Sequence, residues 1–279
     1  MPAQLLDGKL QAQQMRAHLR SIRESLKRQI RLVSLEVGQD PAAVAYVRNQ
    51  QKAAADVGID MEVSNLPPTT TQAQLIAAIE DLNRRPEVAG VIVQRPLPDG
   101  IDARVVQSAV APHKDVEGMH PVNMGSLLSR EPLLPPCTAA AAVHLIVSTR
   151  LPLRGAETVV VGRSEIVGKP VAMLMLHHGS TVTVCHTGTK SLIDHTRRAD
   201  ILVVAVGKAG LVHGEMIKPG GCVIDVGTNQ GPDGKLVGDV DFASAVEVAG
   251  ILTPVPGGVG PVTVAMLLRN TLRAAGAKI

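Results

Sequence analysis

An α/β fold in two lobes, each built on a parallel sheet, is predicted by three features of this 279-residue sequence. Trp is absent and Phe242 and Tyr46 are the only aromatic residues, so aliphatic side chains must build the core. Short runs of Val, Ile and Leu alternate with longer segments of helical periodicity, which is how strands buried on both faces and their crossover helices read. A stretch rich in Pro, Gly, Asn and His, from "PHKDVEGMHPVNMG" to "LLPPC", interrupts the alternation once, as a connection between lobes does.

The elements follow in order. "KLQAQQMRAHLRSIRESLKRQ" has helical periodicity and "IRLVSLEVG" reads as a strand. "DPAAVAYVRNQQKAAADVG" places Asp40 as N-cap and Pro41 at the first helical position, and stops at Gly58. "MEVSNLP" is a strand, "TQAQLIAAIEDLNRR" a helix opened by Thr71, and "GVIVQRPLP" another strand. After the interruption, "TAAAAVHLIVSTRL" reads as a linking helix capped by Thr138. The second alternation runs through "ETVVVGRS", "VGKPVAMLMLHHG", "STVTVCH", "DILVVAVG" and "GGCVIDVGTN". "ILTPVPGGVGPVTVAMLLRNTLRAAG" closes the chain with a strand, a Gly/Pro loop and a helix. Right-handed crossovers between parallel strands are expected throughout.

Composition excludes several classes of function. A net charge of +3, with no dense Lys/Arg block and no aromatic platform, argues against nucleic-acid binding. Cys137, Cys185 and Cys222 are far apart, without C-x-x-C or other metal-ligand spacing, so they read as small buried hydrophobes in a reducing compartment and no metal is expected. The N-terminus lacks a signal-peptide core, and no apolar run reaches the ~20 residues that span a bilayer. A soluble cytoplasmic protein is expected.

In "TVVVGRSEIVGKPVAMLML" an apolar strand meets Gly162, and Gly168 leads into a helix, an arrangement that lets backbone N–H groups approach a phosphate. The spacing is not G-x-G-x-x-G, and an ordinary strand–turn–helix gives the same pattern. The end of the next strand is more specific. Dinucleotide folds that read NAD place Asp or Glu there, whereas this sequence has "VCHTGTK". Arg163, Thr187, Thr189 and Lys190 supply donors and positive charge suited to a 2′-phosphate, which favours NADP. His186 is as readily a packing or surface residue. Gly257, Gly258 and Gly260 in "VPGGVGPVT" permit close approach to a ligand, or equally a plain turn before the last helix.

Taken together, "VGQDPAAVAYVRN", "VIVQRPLP", "KDVEGMHPVNMG", "PPCT", "VVVGRSEIVGKP", "VCHTGT", "DILVVAVGK", "VIDVGTN", "GKLVGDVDF" and "TPVPGGVGPVTVAMLLRNTL" resemble the methylenetetrahydrofolate dehydrogenase/methenyltetrahydrofolate cyclohydrolase family, known in bacteria as FolD, nearly end to end and in the family's order. The resemblance implies an N-terminal catalytic lobe over residues 1–120, completed by the C-terminal helix 261–279, and a Rossmann-type NADP-binding lobe over 139–260, with a cleft between them. It implies a homodimer that oxidises 5,10-methylenetetrahydrofolate with NADP⁺ to the 5,10-methenyl cation and then hydrolyses that cation to 10-formyltetrahydrofolate. Carried over by position, Tyr46 packs beside the folate and Gln94 lies on the catalytic face. Gly162, Arg163, Ser164 and Gly168 fall on the nucleotide loop, Thr187 near the 2′-phosphate, Thr228 beside the cofactor, and Pro256, Gly257 and Gly258 on the loop bordering the substrate.

Three departures stand out against the resemblance. The family's Tyr-x-x-x-Lys has Gln50 in place of the lysine, its "KDVDG" has Glu117 in place of the aspartate that holds the pterin, and its "PCTPxG" reads "PCTAAA". Arg95 also replaces the usual leucine of "VQLPLP". Dehydrogenation removes a hydride from a carbon flanked by two nitrogens and requires no general base, so positioning does most of the work. Hydrolysis requires a proton to leave the attacking water and another to reach a ring nitrogen, which suits a partly buried lysine. Glutamine cannot titrate, so cyclohydrolase activity is expected to be weak or lost. Lys52 lies about 120° around the helix from Tyr46 and does not substitute; Glu117 is the nearer candidate for a rescuing acid or base. A fully bifunctional enzyme, an enzyme for another one-carbon carrier, and a non-catalytic NADP-binding or regulatory relative are the competing readings.

Overall fold

The structure, a computed structural model, describes residues 2–38, 41–129, 132–231 and 233–279. The expected N-cap Asp40 lies outside the described residues. The chain divides into two compact units: Gln14–Cys137 with Val264–Ile279, and Thr138–Thr263 with the residues up to Gln13.

The first unit is built on a three-stranded parallel sheet with Arg31–Val37 in the centre, Asp60–Leu66 on one side and Val88–Val93 on the other. Every residue of Val88–Val93 is buried, as expected of an apolar run in a parallel sheet. The crossover helices are Pro41–Val57 and Gln72–Arg84. The second begins at a capping box, in which Thr71 Oγ1 accepts from the Gln74 N–H at 3.3 Å while Gln74 Oε1 accepts from the Thr71 N–H at 2.8 Å. Leu75, Ile79 and Leu82 recur at helical spacing and pack on Val33, Leu35, Val91 and Val93.

The second unit carries a six-stranded parallel sheet in the order Gln4–Leu5, Ile251–Leu252, Cys222–Asp225, Ile201–Val204, Glu157–Val161, Thr181–Cys185. Its core joins Val159, Val161, Leu202, Val204, Val223 and Leu252. From Glu157–Val161 the chain passes to Thr181–Cys185 on one side, then returns to Ile201–Val204 on the other. The strand order therefore reverses at the carboxyl end of Glu157–Val161, the place where open α/β sheets bind their ligands. The same reversal occurs at the carboxyl end of Arg31–Val37 in the three-stranded sheet.

Several details differ from the sequence-based expectation. The linking helix is Cys137–Ser148, so Thr138 lies inside it and is not its cap. The Pro/Gly/Asn/His-rich connection contains the short helix Pro121–Ser126, opened by His120, whose Nδ1 accepts from the Val122 N–H. Before it, Asp102 caps the helix Ala103–Ala109 by accepting from the Arg104 N–H at 2.8 Å. Segments this short lack enough turns to show a period. No helix among the described residues is long and apolar enough to cross a membrane.

Candidate active site and nucleotide site

In the first unit, the carboxyl end of the three-stranded sheet gathers four of the sequence-derived residues. Gln94 follows Val88–Val93 directly, and Tyr46 and Gln50 lie one turn apart on Pro41–Val57, the helix after the central strand. Glu117 is brought in by residues 114–116, which run along Val88–Val93: the Val91 N–H donates to the Lys114 carbonyl, and Val91 bridges Asp115.

A hydrogen-bonded row links these groups. Gln94 Nε2 donates to Ser34 Oγ and to Gln50 Oε1, each at 3.0 Å. With its oxygen so engaged, the Gln50 amide turns its NH₂ toward the Tyr46 phenol, a contact that favours the phenolate. Gln50 is only 3% exposed, and burying its carboxamide is eased by the bond that its oxygen accepts from Gln94. Tyr46, by contrast, is 45% exposed. Protein packed around its hydroxyl, and then the neighbouring Glu117 and Cys137, outweigh Gln50 and push the phenol up to about 12, while part of the ring stays open to solvent. The phenol therefore remains protonated at neutral pH.

The Glu117 carboxyl is raised toward neutrality. Burial, with Asp115 adding repulsion, pushes it up to about 7, against the opposing pull of Arg95 and the Val93 backbone N–H. Asp115 itself is fully buried and fully bonded: Oδ1 accepts from Gln107 Nε2 at 2.9 Å, and Oδ2 from the His120 N–H at 2.7 Å and Asn123 Nδ2 at 2.8 Å. Cys137 Sγ donates to the Val116 carbonyl at 3.2 Å, and burial raises its thiol well above the usual range. From the last helix, Val259–Ala274, Asn270 Nδ2 donates to the Val116 and Pro135 carbonyls, both at 2.9 Å. Ser34, Asp115 and Asn270 were not singled out from sequence, and Cys137 was read there only as a small buried hydrophobe. Ser34 carried the one available signal, a lone hydroxyl inside the apolar strand Arg31–Val37.

In the second unit, Gly162 stands at the strand-order reversal with φ 126°, and a side chain there would meet the Ala205 carbonyl at 2.2 Å. Gly168 opens the helix Gly168–His177, where a Cβ would lie 2.1 Å from the Gly162 carbonyl oxygen. Arg163 and Ser164 lie on the exposed turn between them. Ser164 Oγ accepts from the Val167 and Gly168 N–H groups at 3.1 and 3.3 Å, so its hydroxyl organises the turn that precedes the helix. At the end of the neighbouring strand Thr181–Cys185, Thr187 and Lys190 are exposed, and the turn is held by the His186 N–H donating to Thr189 Oγ1 and the Gly188 N–H to His186 Nδ1. No carboxylate occupies residues 186–190. A guanidinium, a hydroxyl and an ammonium on exposed turns beside the reversal, with no acid for a ribose diol, fit a dinucleotide bearing a 2′-phosphate.

Thr228 lies after Cys222–Asp225, beyond the carboxyl end of that strand. Pro256, Gly257 and Gly258 form the turn before Val259–Ala274 and belong, like Thr228, to the second unit. No group of three or more His, Cys, Asp or Glu residues that could hold a metal ion occurs among the described residues.

The catalytic domain of tetrahydrofolate dehydrogenase/cyclohydrolase matches residues 6–117, and the NAD(P)-binding domain of the same family matches residues 136–279. The chain belongs to the tetrahydrofolate dehydrogenase/cyclohydrolase family. It is 50% identical over 278 residues to the bifunctional protein FolD of Cupriavidus necator, covering 99% of this chain and 98% of that one. The crystal structure of the bifunctional FolD dehydrogenase/cyclohydrolase from Campylobacter jejuni superposes with a TM-score of 0.96 at 40% identity, over 99% of this chain and 100% of that one. The Trypanosoma brucei enzyme, crystallised with NADP cofactor and an inhibitor, gives a TM-score of 0.91 at 39% identity, over 98% and 97% of the two chains. In the terms of the family, the six-stranded unit holds the strands of the NAD(P)-binding domain, and the row from Ser34 to Tyr46 lies in the catalytic domain.

Proposed function

We propose that this member of the family is an NADP-dependent 5,10-methylenetetrahydrofolate dehydrogenase whose methenyltetrahydrofolate cyclohydrolase activity is weak or lost. The observation that carries the reading is Gln50. It takes the position of the expected lysine, is buried, accepts at its oxygen from Gln94, and turns its amide toward Tyr46. A group so held positions its neighbours but neither gives nor takes a proton at neutral pH.

The other residues take the following roles. Tyr46 offers the open part of its ring to the folate, and its protonated hydroxyl stays neutral beside a substrate that becomes cationic. Gln94, oriented by Ser34 and Gln50, presents its carboxamide to the pterin side. Glu117 holds the pterin by accepting hydrogen bonds, a role its ionised form fills best. In the second domain, Arg163, Thr187 and Lys190 hold the 2′-phosphate, Ser164 shapes the turn between Gly162 and Gly168, and Thr228 lies against the cofactor. Pro256, Gly257 and Gly258 border the substrate. NADP⁺, when bound, supplies the hydride acceptor. The Trypanosoma brucei relative solved with NADP supports the choice of cofactor. The functional unit is a homodimer acting on tetrahydrofolate one-carbon derivatives.

A second reading, a fully bifunctional enzyme, is favoured by Glu117. A carboxyl held near 7 beside Tyr46 is poised to exchange protons with an attacking water at neutral pH, and the Cupriavidus necator relative is named bifunctional. The deciding experiment supplies 5,10-methylenetetrahydrofolate and NADP⁺ and follows NADPH and the methenyl species separately. NADPH formation with methenyl decaying only at its uncatalysed rate supports the first reading. Methenyl consumed as fast as it forms overturns it, and loss of that consumption in Glu117→Gln would assign the proton transfer to Glu117.

A further inference from the structure

Two aspartates of the NAD(P)-binding domain, Asp225 and Asp239, are buried at the carboxyl end of the six-stranded sheet. Asp239 is fully buried, and its carboxylate gathers the backbone after the strand Ile201–Val204. Oδ2 accepts from the Val206 N–H at 2.6 Å and the Gly207 N–H at 3.0 Å, and Oδ1 accepts from the Lys208 N–H at 2.8 Å. Asn229 Nδ2 also donates to Oδ1, at 2.9 Å. Asp225, the last residue of the adjacent strand, is 4% exposed and holds Asp239 in turn. Its Oδ1 accepts from the N–H groups of Gly227 at 2.9 Å and Asp239 at 3.0 Å, and its Oδ2 from that of Val240 at 2.9 Å.

Two glycines make room for this. A Cβ on Gly227 would lie 2.3 Å from Asp239 Cγ, and one on Gly238 would lie 1.8 Å from Asp225 Oδ2. The Asp225 N–H donates to Thr253 Oγ1 at 2.8 Å, which ties the pair to the next strand's end. The loops so fixed, 205–208 and 226–229, leave the carboxyl ends of two neighbouring strands of the six-stranded sheet, the edge at which such sheets bind dinucleotides. Two carboxylates in mutual repulsion are buried here with no cation among their bonded partners. Seven backbone or amide N–H donors compensate them instead, and these donors belong to the cofactor-side loops and to the segment 239–240 that connects the pair.

We infer that Asp225 and Asp239 form a two-carboxylate brace that presets the loops 205–208 and 226–229 for the nicotinamide dinucleotide, Asp239 acting as a positioning residue for the first loop and Asp225 for Asp239. The brace rests on the cofactor reading of this domain but assigns a role that the phosphate-side residues do not have. It lowers the ordering penalty of binding by holding the loops before the cofactor arrives.

The test uses the full chain and three variants, Asp239→Asn, Asn229→Ala and Asp200→Asn. Asp200 is the control for a carboxylate away from the loops, partly exposed and paired with Lys218 Nζ at 2.6 Å. Its carboxylate also accepts a backbone N–H of the same sheet, that of Glu157 at 2.9 Å, but at the opposite, amino-terminal end of the strands. Amide hydrogen exchange at Val206, Gly207 and Lys208 in the cofactor-free protein and the Kd for NADPH are measured together, with the KM for folate at saturating NADP⁺. Asp239→Asn should speed loop exchange and raise the NADPH Kd, each by about tenfold or more, because an amide cannot accept from all four donors. The folate KM should be unchanged. Asn229→Ala, which removes one donor and leaves the carboxylate, should raise Kd about twofold to fivefold and stands in for Asp239→Asn if that variant does not fold. Asp200→Asn should leave Kd unchanged whatever it does to thermal stability. Equal Kd shifts in the Asp200 and Asp239 variants, or faster loop exchange with unaltered Kd, would overturn the brace. Failure of the unaltered protein to bind NADPH would overturn the cofactor reading and the brace with it.

Discussion

Gln94 Nε2 lies 3.0 Å from Gln50 Oε1, so the residue in the expected lysine's place is locked by a carboxamide of the same site. The contact fixes which end of Gln50 faces Tyr46 and takes up one of the two lone pairs of its oxygen.

The first prediction concerns Gln50→Lys. A lysine at this buried position has its charged form disfavoured, which moves it toward the range useful for proton transfer. Hydrolysis of the methenyl species should rise by about 10²–10⁴-fold, the usual worth of general acid–base catalysis, while NADPH formation stays within a few-fold. Stopped-flow absorbance of the methenyl species checks it; no gain in hydrolysis would return attention to Glu117.

Glu117 should make stability pH-dependent. Its folded-state value of about 7 lies above that of the unfolded chain, so the native state holds a proton that the unfolded state has released. Stability should fall as pH rises from about 4.5 to 7 and level off above, by at most ~3 kcal/mol. In Glu117→Gln that decline should shrink, so the variant gains on the unaltered protein at pH 8 and not at pH 4. Thermal unfolding midpoints across this range provide the measurement.

Arg163 sits exposed on the turn after Gly162, where a guanidinium gains more from a 2′-phosphate than from a neutral ribose hydroxyl. Arg163→Ala should raise the KM for NADP⁺ by about 10–100-fold, as loss of a charge-assisted bond does, and leave that for NAD⁺ nearly unchanged. Equal losses for both cofactors would place the guanidinium elsewhere on the dinucleotide.

Asn270 ties the last helix of the catalytic unit to two buried carbonyls and to Cys137 Sγ, 3.5 Å away. Asn270→Ala leaves the Pro135 carbonyl without its amide donor and should cost about 1–3 kcal/mol. Asn270→Asp should be worse, since a carboxylate would face two carbonyl oxygens. Chemical denaturation of both variants tests the order.

Much of the fold was legible because period and burial agree in parallel sheets. Val88–Val93 and Ile201–Val204 are apolar at every position and buried at every position, and Thr71 was legible as the start of its helix. The segments that escaped, such as Pro121–Ser126 and the two-residue strand Gln4–Leu5, are too short to carry a period. Thr138 was misplaced as a cap because a threonine before an alanine run looks the same one residue inside a helix as before it.

By itself the sequence determined the family, the parallel α/β class, the turn chemistry around Gly162 and the absence of a titratable group at position 50. Only the tertiary structure decided that Gln50 is buried and bonded to Gln94, that Asp115 is fully satisfied while Glu117 is raised toward neutrality, and that Asp225 and Asp239 hold two loops from adjacent strands. Identity and local period are properties of neighbours along the chain, whereas the state of a carboxyl or an amide depends on burial and on donors that arrive from as far as 44 positions away.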